Sequence, residues 1–228
     1  MKLENVTRVR QSDDKRRYDD ACAAAHGMDL IGERWSMPLI RELLLGPRRF
    51  SDLKMSLNGI SANVLTQRLE GLEAAGVLVR RKLPPPASVQ VYELTPWGYE
   101  SAPIFQALGR WAVRSPRHDP TRPFSPVSLM LSLRTMMDGE AAGGLEARIQ
   151  LDMAGEHYFW IRHKGEVRIG RRPIEAPDLI LRGSPSDIAG YVYASAPLSS
   201  IAFEGDAELA RRLPSLFPMP EKAPPAAA

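Results

Sequence analysis

Residues 50–98 read FSDLKMSLNGISANVLTQRLEGLEAAGVLVRRKLPPPASVQVYELTPWG, and the fold of the first half of the chain follows from this stretch. A short apolar-periodic run at 50–57 is followed by Asn58-Gly59-Ile60 and then by a longer run at 61–75, closed by Gly76. In the longer run Val64, Leu65, Leu69 and Leu72 share one face at helical spacing, while Asn63, Thr66, Gln67, Glu70 and Glu73 fall away from it. Ser61 is placed to cap that helix, since a serine hydroxyl accepts from the free N–H groups of a first turn. Two β-prone runs follow at 77–83 and 89–94, joined by Pro84-Pro85-Pro86-Ala87-Ser88, which predicts a hairpin with a stiff tip. Thr95-Pro96 then opens a helix over 97–113.

Helix, tight turn, helix, hairpin is the order of a winged helix. The major groove of DNA admits one α-helix, and the first helix of such a pair braces the second. Ser61, Ala62, Asn63, Thr66, Gln67 and Arg68 are therefore the candidate readers of bases and phosphates on the second helix. Arg80, Arg81, Lys82 and Ser88 of the hairpin are candidate backbone contacts, because cations neutralise phosphates. A polar helix face over an ordinary core has the same pattern, and the hairpin is what tips the reading toward DNA.

Working outward, residues 1–17 are polar and without apolar period and are expected to form a mobile arm. Helices are expected at 20–31 and 35–45, the second stopped by Gly46-Pro47. The stretch 116–124 is rich in proline and charge and marks a linker between domains at 18–115 and 125–218. A helix is expected at 126–137. Alternation at 147–153, turned by Ala154-Gly155 into 156–163, predicts half-buried strands, extended by 165–169 and 178–182. Ser184-Pro185-Ser186-Asp187 has the form of a capping box with proline at the first helical position. Glu204-Gly205-Asp206 is read as the cap of a last helix reaching Phe217, and 219–228 as a disordered tail.

With 228 residues the chain can bury two cores. Lys and Arg number 18 against 13 Asp and Glu over residues 1–117, and 12 against 14 over 118–228, so the first half is the candidate for an anionic partner. Cys22, the only cysteine, excludes an intrachain disulfide. Charges interrupt every apolar run, so no membrane span is expected, and the N-terminus lacks the form of an export signal. A cytoplasmic protein is expected. No phosphate loop, nucleophile elbow or zinc-spaced cysteine pair is present, and no metal or cofactor is expected. His157 and His163 stand about 20 Å apart along an extended chain, too far to share one ion. The chain is not read as an enzyme.

Residues 22–111 resemble the HxlR branch of the MarR-like winged-helix regulators. The resemblance runs through Asp29-Leu30-Ile31-Gly32-Glu33-Arg34-Trp35, Gly46-Pro47-Arg48-Arg49-Phe50-Ser51-Asp52-Leu53, Val64-Leu65-Thr66-Gln67-Arg68-Leu69 and Tyr92-Glu93-Leu94-Thr95-Pro96-Trp97-Gly98. It implies a DNA-binding transcription regulator, read as a repressor. It also implies a homodimer on double-stranded DNA, with the 61–75 helix in the major groove, the 77–94 hairpin as wing and the domain's terminal helices at the subunit interface. Asn63 and Val89 depart from the basic residues that similar proteins often carry there, which weakens phosphate contact. Cys22 stands thirteen residues before Trp35, where the family commonly has a cysteine that in some relatives senses oxidants. The plainer reading is a small buried residue in the Ala-rich run 21–25.

The second half resembles the sterol-carrier-protein-like α+β fold, through residues 147–152, 177–183 and 203–206. That resemblance implies a sheet covered by helices, often with an apolar tunnel, and makes Leu129, Met130, Leu133, Met137, Phe159 and Ile161 candidate pocket residues for an apolar effector. Filled core is the commoner use of such residues. The fold class expected is thus α+β: an N-terminal winged helix-turn-helix domain followed by a C-terminal sterol-carrier-like domain. The rival function is a small-molecule carrier that keeps the winged helix only as a dimerisation scaffold.

Overall fold

The computed structural model describes residues 18–86 and 88–224, so the expected arm at 1–17 and the last four residues of the expected tail lie outside the described residues. The first half comprises α1 (Ala23–Ile31), α2 (Ser36–Leu43), α3 (Phe50–Ser56), α4 (Ala62–Ala74), the hairpin β1 (Leu78–Lys82) and β2 (Gln90–Leu94), then α5 (Pro96–Tyr99) and α6 (Ala102–Ala112). Leu65, Leu69 and Leu72 of α4 are buried with Leu39, Ile40, Leu43, Leu53, Leu57, Leu78 and Leu94 in one hydrophobic cluster. Ser61 caps α4 by accepting from the Val64 N–H at 3.2 Å. Gly59 adopts φ +87°, the left-handed conformation that lets the chain reverse between α3 and α4 at no steric cost.

The helix expected over 97–113 is two helices. The backbone breaks around Glu100 and Ser101, where the Ser101 hydroxyl donates to the Gly98 carbonyl at 2.6 Å and Pro103 enters the first turn of α6. A polar side chain competing for a backbone carbonyl, followed by a residue without an N–H, ends one helix and starts the next.

The second half begins with α7 (Pro126–Met136) and α8 (Gly139–Ala142), followed by β3 (Ala147–Met153), β4 (Glu156–His163), β5 (Glu166–Gly170), β6 (Leu179–Arg182), α9 (Pro185–Tyr193), β7 (Ala202–Gly205) and α10 (Ala207–Arg212). The five strands lie in the order β5-β4-β3-β6-β7; β3 and β6 are parallel and the other pairs antiparallel. Ile149, Leu151, Tyr158 and Trp160 enter a second hydrophobic cluster with α7 and α9, in which the Trp160 and Phe217 rings meet edge to face at 5.9 Å. The capping box at Ser184 forms, the hydroxyl accepting from the Asp187 N–H at 3.1 Å. Three segments differ from the sequence reading. Residues 202–205 form the edge strand β7 rather than only a cap, all of them exposed, so no apolar alternation announced it. The last helix stops at Arg212 and tightens to a 3₁₀ turn, Leu213–Leu216, where Pro214 removes a donor. Residues 219–224 do not fray as a tail: Lys222 Nζ donates to the Val113 carbonyl at 2.9 Å and the Ala223 N–H to the Arg114 carbonyl at 2.7 Å.

Buried polar contacts join the halves. Arg48, 5% exposed, donates from Nη1 to both carboxylate oxygens of Glu156 at 2.8 Å and from Nη2 to the Tyr158 hydroxyl at 3.0 Å. Its own backbone bridges Tyr92 of β2 through two hydrogen bonds. The buried Glu42 of α2 accepts from the hydroxyl of Ser125, the N-cap of α7, at 2.6 Å.

Burial works to raise the Glu156 carboxyl pKa, but the hydrogen bonds from Tyr158 and Arg48, with the charges of Arg48 and Arg171, outweigh it and hold the group below the usual glutamate value. A carboxyl with a depressed folded-state pKa contributes stability above its unfolded pKa and loses it as pH falls through the folded one. Glu156→Gln should therefore cost about 1.5 kcal/mol at neutral pH, the low end for bonds to charged groups because the side chain is 38% exposed. Urea midpoints should show the gap between variant and parent closing as the pH falls below the usual 4.5; a gap that persists or widens in acid would remove the ion pair from the account.

Candidate nucleic-acid interface

The α3–α4 pair and the β1–β2 hairpin build one surface. Because Leu65, Leu69 and Leu72 face inward, α4 must turn Ser61, Ala62, Asn63, Thr66 and Gln67 to solvent, and all five are exposed. These side chains offer donors and acceptors of the kind that read base edges. Arg68 is different. It is half-buried and ion-paired with Glu33, beyond the end of α1, so it fastens α4 to the α1–α2 connection. The sequence pattern put Arg68 beside Gln67 but held no sign of the acid that engages it.

In the wing, strand alternation separates the three cations. Arg80 pairs in register with Tyr92 and Lys82 with Gln90 on one face, while Arg81 pairs with Val91 on the other. Arg80 contacts Glu73 of α4 at 3.1 Å and lies over the Tyr92 ring, 5.5 Å from its centroid. Arg81 is bonded to Glu93. Lys82 is exposed and has no carboxylate partner among the described residues, as is also true of the exposed Arg49 at the start of α3. Ser88 is exposed at the hairpin tip. Exposed pairs of this kind contribute about 0–1 kcal/mol, so the two wing arginines can exchange a carboxylate for a phosphate at small cost.

Cys22 is exposed, not a buried filler of an Ala-rich helix. It sits at the N-cap of α1, where the N–H groups of Ala25 and Ala24 lower its thiol pKa below the ordinary value against slight desolvation. Free N–H groups at a helix start stabilise a thiolate for the same reason they stabilise any anion.

The six candidate pocket residues do not surround one space. Leu129, Met130 and Leu133 of α7 are buried in the second core, with Met137 against it, on the face of the sheet that carries Tyr158 and Trp160. Phe159 and Ile161 alternate to the opposite face. There Phe159 lies between Arg172, 5.2 Å from its ring centroid, and Gly170, where any Cβ would collide with the ring. The cavity in the second core measures about 10 Å³, the lower bound for a single water, because Trp160, Phe217 and Leu213 fill it. Among the described residues no helix is long and apolar enough to cross a membrane.

The family described as HxlR-like helix-turn-helix matches residues 30–119. The uncharacterized HTH-type transcriptional regulator YvaP of Bacillus subtilis (strain 168) is 37% identical over 86 residues, spanning 37% of this chain and 79% of YvaP. The HTH-type transcriptional regulator YodB of the same organism is 34% identical over 83 residues, spanning 36% of this chain and 74% of YodB. The structure of the reduced form of YodB is 29% identical and covers 44% of this chain and 100% of that chain, with a TM-score of 0.40.

The lowered thiol pKa predicts that iodoacetamide alkylates Cys22 in the folded protein at neutral pH faster than in the urea-unfolded chain, because the thiolate is the attacking species. Equal or slower alkylation in the folded state, followed by mass spectrometry, would show that the helix start does not activate it.

Proposed function

Because the chain belongs to the HxlR-like helix-turn-helix family of transcriptional regulators, we propose that it is a sequence-specific DNA-binding repressor that acts as a homodimer on double-stranded DNA. The observation that carries this reading is the outward face of α4: Ser61, Ala62, Asn63, Thr66 and Gln67 stand exposed beside a projecting hairpin, with the apolar face of the same helix committed to the core. In this reading α4 lies in the major groove and Gln67, Thr66 and Asn63 meet base edges. The wing lies on the adjacent backbone, with Lys82, Arg80, Arg81 and Ser88 toward phosphates. Arg68 serves chiefly to set the angle of α4 through Glu33.

Dimerisation is supported by two helices that commit little to the chain's own cores, Ile31 of α1 and Phe105 of α6 packing only partly buried against the first. Neither α1 nor α6 has a buried residue. On α6, Ile104, Leu108 and Trp111 are exposed at helical spacing, Trp111 by 75%, while Arg110 of the same helix donates to the Thr135 carbonyl of α7 at 3.1 Å. An apolar stripe of that kind wants a partner, and a second copy presents the same stripe across a two-fold axis. We read residues 18–115 and 125–218 as two domains joined by 116–124, supported by the two separate hydrophobic clusters. A sterol-carrier-like fold for the second is supported by its five-stranded sheet with helices against one face. The filled core beneath those helices favours regulation over bulk carriage of an apolar cargo. We place Cys22 as a thiol exposed to oxidants or electrophiles, supported by its accessibility and its lowered pKa.

Fluorescence anisotropy against the duplex upstream of its own gene and a scrambled duplex, at two salt concentrations, tests the function. Specific, steeply salt-dependent binding is expected; equal weak binding to both duplexes would point to the carrier. Gln67→Ala should cost roughly 1–3 kcal/mol on the cognate site alone, and Lys82→Ala should weaken all sequences alike and lower the salt slope by about 1. In sedimentation equilibrium, Leu108→Asp combined with Trp111→Asp should yield a folded monomer. A dimer that survives both charges would place the interface elsewhere.

A further inference from the structure

Below the wing, between β2 and the second sheet, runs an open cleft of about 400 Å³. Its first wall is the wing's far face, Leu83 and Val91; its second is the start of β4 with Arg171, Arg172 and Pro173; its floor is Pro47, Arg49 and Asp52. That volume lies within the range of roughly 300–1,000 Å³ typical of small-molecule sites.

The charges around the cleft do not balance. Glu156 is the acid nearest to two guanidiniums, but Arg48 holds both its oxygens at 2.8 Å and the Tyr158 hydroxyl donates to it at 2.7 Å. Arg171 is left at 3.7 Å from the same carboxylate, beyond hydrogen-bond length, and its Nη2 turns to the Pro47 carbonyl at 2.5 Å. With a side chain only 16% exposed, Arg171 is desolvated and repelled by Arg48, and both effects lower its pKa. Arg49 and Arg172, both exposed, have no carboxylate partner among the described residues. Asp52 is engaged locally, accepting from the Arg49 N–H at 3.2 Å and the Ser51 hydroxyl at 3.3 Å. Four guanidiniums therefore converge where two carboxylates stand, and two of the four, Arg48 and Arg171, are largely out of water, of which only Arg48 is hydrogen-bonded to a carboxylate. A desolvated, incompletely paired cation is costly, and an incoming anion offsets that cost. Guanidinium groups match the two oxygens of a carboxylate in geometry as well as in charge.

We propose that this cleft binds a small organic carboxylate, its carboxylate held by Arg171, Arg172 and Arg49 and its apolar body against Leu83, Val91 and Pro173. The accessible Leu83 and Pro173 separate this ligand from a bare inorganic anion, which would leave them wet, while Val91 behind them is already buried. A molecule seated there touches the wing on one side and the second sheet on the other, so it braces the hairpin against the rest of the chain. The inference does not rest on DNA binding and stands or falls separately from it.

The test is isothermal titration calorimetry of the full chain with benzoate and octanoate, with benzamide and inorganic phosphate as controls, and hydrogen exchange at the Leu83 and Val91 amides. Saturable binding of a carboxylate, no binding of benzamide, and slower exchange at both amides are expected. Arg49→Ala combined with Arg172→Ala alters two exposed side chains, of which Arg172 also covers the Phe159 ring, and should lower the melting temperature only slightly while weakening carboxylate binding by roughly tenfold or more. If neither carboxylate binds, or if the double variant binds as tightly as the parent, the site is refuted. Phosphate binding as tight as benzoate would overturn the apolar body.

Discussion

The arrangement of the molecule depends on one buried guanidinium. Arg48 occupies a position where its backbone is a third rung beside the wing and its side chain reaches into the second half. A charge at 5% exposure is tolerable only if hydrogen-bonded and paired, and both partners, Glu156 and Tyr158, come from β4. Any docking of the halves that fails to deliver both leaves a cation without water or acid. The desolvation that makes the pair a poor source of net stability makes it a good specifier of orientation. Arg171 adds to the same junction from the loop after β5 by bonding the Pro47 carbonyl, one residue before Arg48. The other end of the junction is set by Glu42 and Ser125, where an N-cap hydroxyl of α7 also satisfies a buried acid of α2. Two polar joints, one beside the wing and one beside α7, thus fix what the apolar clusters alone would leave free to slide.

Much of the fold was legible because the features that make it are local. The 3.6-residue period of Val64, Leu65, Leu69 and Leu72 names the buried face of α4, and Ser61, Thr95 and Ser184 announce helix starts by chemistry confined to one turn. Alternation over 147–153 and the Ala154-Gly155 turn into 156–163 predict two strands, and both lie inside the sheet, each with a buried face toward α7. What escaped was set from a distance. Strand β7 is exposed along its whole length, and its pairing with β6 is decided by backbone hydrogen bonds that leave no trace in side-chain pattern. Hydrophobicity alone groups Phe159 and Ile161 with the α7 residues, yet period-two alternation along the strand puts them on the other face from Trp160. The candidate DNA surface was readable residue by residue, whereas its internal pairing was not: Glu33, Glu73 and Glu93 engage Arg68, Arg80 and Arg81 across separations that no local pattern encodes.

Those pairings bear on how such a surface works. An arginine held by a neighbouring carboxylate is pre-oriented and partly neutralised, so it adds less to long-range attraction for DNA than its formal charge suggests. A phosphate arriving at such a pair would compete with a weakly held acid at small cost. The wing therefore divides its labour by strand face: Arg80 and Lys82 share the face of β1 that also carries Leu78 into the core, while Arg81 and Glu93 lie on the other side. Since Val91 also faces that other side, the wing has one face committed beside α4 and one turned to the second half.

That geometry argues where communication between the halves can run. The second core is packed solid around Trp160 and Phe217, so a change of occupancy there would require repacking, which is expensive in interiors of crystalline density. The seam differs. It is polar, open on one side, and built from groups with unequal partners, among them an acid shared by two guanidiniums. Arg48 cannot give up Glu156, but Arg171 can exchange its longer contact with that carboxylate for another anion without opening a cavity. Because Arg171 bonds the carbonyl of Pro47, next to Arg48, whose backbone is bonded to Tyr92, such an exchange lies one step from the strand that carries the wing. A seam with one exchangeable contact beside the hairpin is a better conduit than a core that must repack to change.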